Sequence, residues 1–418
     1  MTRRTGVLDA RPLHAGPFRD LWVGTTLGQF GQQFATVAVL QQTWELTGSP
    51  VWTGAIGIAT AVPMIVFGLL GGSLADMADR RTIVRATTTL QFLAALALIV
   101  QAAVGNVSVV LLLGLVALQT VAAALGAPAR RTLPVRLLPA DQVAAGLALS
   151  NVSFQAAMLV GPAVAGVVLA AWQFPAAYAF HALAIAASLV AVVRLPPIPP
   201  DRTLHDASMA PTRWRPSAGG WAFILRRPTL WGSFAVDLAS CGLAMPVALF
   251  PLINELRFGG DPRTLGFFLS SIAVGGITAG LFSGWITRLR RSGAVQLTAA
   301  GIWGLALAGF GLAGPVWAAL GCLAIAGAAD SISVFTRGAL IQLETPDGYR
   351  GRVSSVEQVI GAAGPEIGNF RGGLVASLTS APLSLVTGGL AATAATLVIS
   401  AINEPLRRYT IPTRGACR

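Results

Sequence analysis

The chain has 418 residues, 54% of them hydrophobic and only 11% charged, with a mean hydropathy of +0.68. A water-soluble domain carries about 25% charged residues, so the composition excludes an ordinary soluble globule and implies a surface that mostly meets lipid. The formal net charge is +12, but all 29 basic residues are arginines dispersed among apolar runs, a distribution that argues against nucleic acid as a partner.

Apolar runs fall in chain order near 20–43, 51–71, 83–104, 108–127, 143–171, 174–193, 228–252, 264–287, 293–313, 316–336, 353–378 and 381–402. Crossing a bilayer takes about 20 apolar residues in a helix, so the expectation is an all-α membrane protein with twelve transmembrane helices. No cleavable leader is expected: Arg3 and Arg4 are followed by more charge, and the first run leads straight to a second. The arginines orient the chain. With the N-terminus in the cytoplasm, 26 of the 29 fall on the inside, Arg257 and Arg263 in an outside loop, and Arg371 within a run. Flanking basic residues stay cytoplasmic, which predicts a multi-pass protein of the cell (inner) membrane with both termini inside.

In the first run, Gln29, Gln33 and Thr36 lie three or four apart, on one helical face. Amides facing lipid are penalised, so this face is expected to look into the bundle. It serves either as a polar wall of a substrate cavity or as interhelical hydrogen bonding worth about 0.6 kcal/mol per bond. Asn151 and Gln155, four apart in the fifth run, repeat the pattern.

Between the second and third runs lies an island of charge, Gly71-Gly-Ser-Leu-Ala-Asp76-Met-Ala-Asp79-Arg80-Arg81. So short a connection implies a tight antiparallel hairpin with both acids and both arginines at the membrane surface. Arg80 and Arg81 suit an orientation signal; a carboxylate gains nothing from that rule.

The longest polar segment, 195–227, opens Leu195-Pro-Pro-Ile-Pro-Pro and reads as a stiff linker. It divides the chain into an N-terminal bundle (1–194), a cytoplasmic linker (195–227) and a C-terminal bundle (228–418). The halves echo one another. Arg130, Leu133 and Pro139 recur as Arg337, Leu340 and Pro346 at an offset of 207; Gly161-Pro162 is answered by Gly364-Pro365; Gly68, Gly72, Arg80 and Arg81 have a degraded counterpart in Gly280, Gly284, Arg290 and Arg291. Two pseudo-symmetric six-helix bundles with a substrate held between them near mid-bilayer make a transporter architecture.

Four acids lie within the later runs. Ser354-Ser-Val-Glu357 has capping-box spacing, so Glu357 is expected to cap its helix. Glu366 follows Gly364-Pro365 about 13 residues into the eleventh run, beyond mid-bilayer; Asp237 lies about nine residues into the seventh. Asp330 is seven residues before Arg337, a spacing that suits pairing along one face. Intramembrane acids are functional by default, and Glu366, Asp237 and Asp330 are the candidates for proton coupling. Arg371, near the outer end, is expected to snorkel.

The island at 72–81 resembles the signature loop between the second and third helices of the major facilitator superfamily, with Met77 and Asp79 at positions where that loop usually has a basic residue and glycine. The acid before the paired arginines, Phe18-Arg19, Leu195-Pro-Pro, the stretch 219–228 and the stretch 345–353 resemble the branch containing siderophore (enterobactin) exporters and macrolide-efflux proteins. That resemblance implies a gating role for Gly72, Asp76, Arg80 and Arg81, with Asp76 meeting the start of the eleventh span. Gly161-Pro162 resembles an element of drug/proton antiporters, with Ala165 and Ala157 where glycines are usual, and implies outward transport. The implied function is export of a catecholate siderophore across the inner membrane by alternating access in exchange for protons; a multidrug or macrolide exporter is the alternative. The expected partners are a small-molecule substrate and the lipid bilayer, the expected state a monomer, and the energy source a proton gradient with no bound cofactor. Enzymatic activity is not expected: there is no nucleotide-binding G-x-x-x-x-G-K-[ST] loop, and Cys241, Cys322, Cys417 and the three histidines are too scattered for a metal site.

Overall fold

The computed structural model describes residues 9–105, 107–196, 218–286 and 291–410. Most of the linker at 195–227 and both extreme termini lie outside these residues. Every regular element among them is helical. In chain order these are α1 (Gly16–Thr47), α2 (Pro50–Met77), α3 (Arg80–Ala103), α4 (Val109–Leu137), α5 (Val143–Val193), α6 (Ala218–Leu225), α7 (Pro228–Ala244), α8 (Phe250–Phe258), α9 (Pro262–Leu281), α10 (Ser283–Ile286), α11 (Ser292–Leu312), α12 (Val316–Glu344), α13 (Asp347–Leu378), α14 (Ala381–Ile402) and α15 (Glu404–Arg407).

Among the described residues, nine helices are long and apolar enough to cross a membrane. Val143–Val193 holds two of the expected runs: 51 residues would measure about 76 Å if straight, more than twice a hydrocarbon core. Gln173, at φ 64, breaks it two residues before Pro175. α1 and α13 are long but too polar to be among the nine, because α1 carries the glutamines and α13 the charges. The residues flanking the apolar runs cap the helices. Asp79 accepts from Arg81 N at 2.8 Å to start α3, Ser108 caps α4, Asp261 accepts from Arg263 N at 2.8 Å to start α9, and Ser380 caps α14. Asp79, the departure from the usual loop glycine, therefore satisfies a helix N-terminus.

The chain divides into two compact units: Met1–Leu46 with Val62–Met209, and Thr47–Ala61 with Ala210–Arg418. The boundary cuts α2 just before Val62-Pro63, so the first half of that helix belongs with the second unit.

In the first unit α1 lies against the second half of α5 through small residues. A Cβ on Gly24 would stand 2.8 Å from Ala191 Cβ, and one on Gly31 would meet Ala184 and His181. Without a hydrophobic drive inside lipid, helices associate through such close backbone approach. Leu21, Ile83, Val84, Ala129, Leu133, Val192 and Leu195 close the unit at its arginine-bearing end. A neutral polar network ties α1, α3 and α5 further along: Gln42 and Gln101 exchange amide bonds at 3.0 and 3.1 Å, and the Tyr178 hydroxyl donates to Gln42 Oε1 at 2.6 Å.

The second unit has an apolar base of Ile224, Leu230, Phe234, Leu340, Ile341, Val353, Val356 and Leu406. Asn403 Nδ2 donates to Pro228 O at 2.7 Å and fastens the end of the chain to the start of α7. Outside the spans, burial and then neighbouring Glu344 push the Tyr409 phenol up. At the other end Phe250, Phe258, Phe268 and Phe310 pack tilted and edge-to-face with centroids 5.4–5.7 Å apart. α7 and α8 are one span broken at 245–249. Met245 is extended at ψ 124 before Pro246, as proline requires of its predecessor, and a short 3-10 turn (Val247–Leu249) follows.

Candidate functional site

Charge concentrates where α7, α12 and α13 of the second unit meet. Arg337 and Asp237 are 5% and 7% exposed and form a direct ion pair. The Arg337 Nε lies 3.9 Å from Glu357 Oε1, and Asp330 is within electrostatic reach of both Asp237 and Arg337. Two carboxylates therefore pair with one guanidinium, and a third lies near them. Burying an ion pair costs several kcal/mol of desolvation per charge and survives only where partners are well placed; a third acid adds unbalanced negative charge. Asp330 does not take Arg337 as its along-helix partner, because Asp237 reaches that guanidinium from α7. Glu357 does not cap its helix either. α13 begins at Asp347, seven residues before Ser354, so the capping-box spacing sits inside a helix already formed and Glu357 turns to Arg337 instead.

The structure brings Asp237 and Asp330 together but leaves Glu366 apart, nine residues beyond Glu357 on α13, about 13 Å along the axis. Glu366 accepts from Asn369 Nδ2 at 3.3 Å, and its backbone packs against Gly57 on the first half of α2. Arg371 does not snorkel. It turns inward to donate to the carbonyl of Leu243 at the end of α7.

The candidate binding residues of the first unit are neutral. Gln33 Nε2 contacts Met158 Sδ at 3.1 Å. A Cβ on Gly161 would stand 2.7–2.8 Å from the Gln33 side chain, so Gly161 exists to let α5 approach α1, with buried Pro162 beside it. Gln29 is half-buried with an unpartnered Oε1. The Thr36 hydroxyl bonds back to Gln32 O at 2.9 Å, the usual local satisfaction of a helical threonine. Asn151 is exposed and Gln155 half-buried. The structure thus joins Gln33 with Gly161.

At the charged island, Gly72 and Asp76 fall in α2, and their side chains lie outside the described residues. Arg80 is half-buried, and Arg81 donates to Val193 O at 2.7 Å, tying the start of α3 to the end of α5.

Three groups escaped the sequence reading. Arg130 turns inward to Thr88 at 2.9 Å and Gln91 at 3.5 Å. Buried His181 sits 3.0 Å from the Gln119 amide. Asn369 holds the break between α7 and α8 through Ala248 N at 3.2 Å. Only the echo of Arg130 in Arg337 could have flagged the first. A groove of about 610 Å³ with apolar walls runs between α11 and α12, from Arg291 to Ile332; none of the candidate residues lines it.

Long apolar helices that bury amides and an ion pair define a helical membrane protein. The chain belongs to the transmembrane secretion effector family of the major facilitator superfamily, whose family model matches residues 9–410. It is 26% identical over 400 residues to macrolide efflux protein A of Streptococcus pyogenes, covering 93% of this chain and 96% of that one. It is 25% identical over 420 residues to the enterobactin exporter EntS of Citrobacter koseri, covering 99% and 98%. The fold matches a bacterial homologue of the human lysosomal transporter Spinster with a TM-score of 0.72 at 14% identity, covering 96% and 99% of the two chains.

Proposed function

We propose that the protein is a secondary active exporter that carries a small amphipathic molecule out of the cytoplasm by alternating access, in exchange for protons. In this reading twelve spans form two six-helix bundles joined by the linker at 195–227. Both termini are cytoplasmic in the inner membrane of a monomer, and a proton gradient is the energy source. The observation that carries the reading is the excess of acid around Arg337: Asp237 and Glu357 both pair with one guanidinium inside a membrane unit, and Asp330 lies within electrostatic reach of it. More carboxylates than cations at one buried place is the feature a proton-coupled cycle would use.

Gln29, Gln33, Thr36, Asn151 and Gln155 form the substrate wall in the first unit. Gly161 and Pro162 set the approach of α5 to α1. Asp76, Arg80 and Arg81, with Gly72, gate the cytoplasmic side. A catecholate siderophore is the first substrate reading, supported by likeness to the enterobactin exporter over nearly all of the chain. A macrolide is the second, favoured by the acid excess, which suits a protonated amine. Everted membrane vesicles energised with a proton gradient decide between them. Uptake of labelled enterobactin but not erythromycin supports the first and the reverse supports the second. Uptake of either that persists after the gradient is collapsed defeats proton exchange.

A further inference from the structure

α13 is pressed between two neighbours in the second unit, and each face is built for it. Toward the seventh span it presents glycines four residues apart. A Cβ on Gly364 would stand 3.6 Å from Cys241 Cβ, one on Gly368 would meet Cys241 O, and one on Gly372 would stand 3.4 Å from Met245 O. Toward the first half of α2 the approach is closer still. A Cβ on Gly54 would stand 3.0 Å from Asn369 O, one on Gly57 would meet Glu366 O, and one on Gly373 would meet Pro50 O.

The seventh span is broken at 245–249, and a break inside lipid frees backbone groups that must find partners. α13 supplies them on both sides of the break. Arg371 donates to Leu243 O at the end of α7, in space left by Gly388 on α14. Ala248 N donates to Asn369 Oδ1 at 3.2 Å. The other end of the Asn369 amide donates to Glu366 Oε2 at 3.3 Å, and the backbone of Glu366 lies against Gly57 on α2. Glu366, packed on α2, is thus linked through Asn369 to the backbone of the broken span.

We infer that Asn369 and Arg371 are positioning residues for transport: they hold the break in the seventh span, and through Asn369 the state of Glu366 is communicated to that break and to α2. The chemistry of the acceptor sets the direction. As a carboxylate, Glu366 accepts from Asn369, and hydrogen bonds to an ionised acceptor are roughly twice as strong as neutral ones. A proton on Glu366 weakens that bond, which loosens α13 where Glu366 packs on α2 while Arg371 still grips α7. Among the described residues of the elements packed here, no other charge faces Glu366. Residues 47–61 of α2 contain no ionisable side chain, nor does α14; α7 carries Cys241 and, one turn earlier, Asp237, which is paired with Arg337. On α13 itself Glu357 lies nine residues earlier, and Arg371 turns away to Leu243. The inference rests on the proposed transport cycle for its purpose, and on geometry alone for its existence.

Hydrogen exchange on the purified full-length chain in lipid nanodiscs tests it with no substrate present, so its outcome is independent of what is carried. Asn369→Ala is expected to speed exchange at 247–249 at least tenfold while α11 is unchanged; native exchange there would overturn the latch. Asn369→Asp, which can accept from Ala248 but cannot donate to Glu366, guards against simple misfolding. It is expected to keep 247–249 protected and to speed exchange at 54–61 about threefold. Loss of protection at both segments, or at neither, would refute the division of roles. Arg371→Ala is expected to raise exchange at 247–249, and Arg371→Lys to restore it; failure of lysine to rescue would remove Arg371 from the latch. In energised vesicles Asn369→Ala, which adds no titrating group, should lower kcat and shift its pH profile with KM unchanged, whereas a merely structural role would leave the profile in place. Confirmed exchange effects without transport of either probe would sink the export reading and leave the latch standing.

Discussion

Two arginines at equivalent places in the repeat, Arg130 on α4 and Arg337 on α12, are satisfied by opposite chemistry. Arg130 turns to a hydroxyl and an amide, Thr88 and Gln91. Arg337 turns to carboxylates, Asp237 and Glu357, with Asp330 nearby. The neighbouring leucines, Leu133 and Leu340, are both fully buried, so the local packing was kept while the partners diverged. The first unit adds further neutral groups, Gln42, Gln101, Tyr178, Gln119 and His181; the second keeps neutral pairs such as Ser233 with Gln296 but adds the buried ion pair of Arg337 with Asp237. A neutral polar interior can present hydrogen bonds to a substrate without changing charge. An ionic interior can change charge and therefore shift its own equilibrium when a proton arrives. The division of labour proposed above, substrate wall in one unit and coupling in the other, follows from that difference.

The largest effect expected from this contrast is on stability. Asp237→Ala leaves Arg337 buried against an incomplete set of partners and should cost about 3–5 kcal/mol. Thr88→Ala leaves Arg130 with Gln91 and should cost about 1 kcal/mol. Thermal unfolding of the two variants in the same detergent measures the difference; equal losses would show that the two arginines are held alike. The contrast sharpens further if charge is removed as a pair. Asp237→Leu with Arg337→Met should regain at least half of the lost stability, because apolar replacement of a buried pair is often neutral, yet abolish gradient-driven uptake. Retained proton-driven uptake would move coupling away from this cluster.

A smaller effect separates the repeated glycine-proline steps. A methyl on Gly161 would stand 2.7–2.8 Å from the Gln33 side chain, whereas one on Gly364 would make only ordinary contact with Cys241 at 3.6 Å. Gly161→Ala should therefore cost about 1–3 kcal/mol by overpacking, and Gly364→Ala should be neutral or gain up to about 1 kcal/mol from helix propensity. Midpoint shifts of opposite sign in one unfolding series are the expected result; matching losses would mean the two steps are packed alike.

These contrasts mark where the sequence was legible. The apolar runs, the charged island and the glycine-proline echo are local patterns, and the helices lie where those patterns put them. The N-cap role of Asp79 was within reach, since an acid directly before a helix start is a capping signal. Partner choice was not legible. Asp330 and Arg337 share a helix face by spacing, but Asp237 arrives from another helix and takes the guanidinium. Ser354 and Glu357 match a capping box, but the helix had begun at Asp347 because a membrane helix runs past its apolar segment. Arg371 has the length to snorkel; the free Leu243 carbonyl that draws it inward exists only because Pro246 breaks a helix more than 120 residues away in sequence. Two of these misses are contacts between distant segments, on which local periodicity is silent.

The smallest effect tests the neutral side of the comparison. Tyr178 donates to Gln42 Oε1 at 2.6 Å, and Gln42 keeps both amide bonds to Gln101 without it. Tyr178→Phe removes one donor and leaves no charge uncompensated, so the loss should be about 0.6 kcal/mol, the average for hydrogen bonds between helices in a membrane. The pH profile of uptake should be unchanged, because nothing in that network has lost or gained a titrating partner. A profile displaced by Tyr178→Phe would place a proton-handling step in the first unit. The two repeated arginines would then differ in partner but no longer in the kind of work their units do.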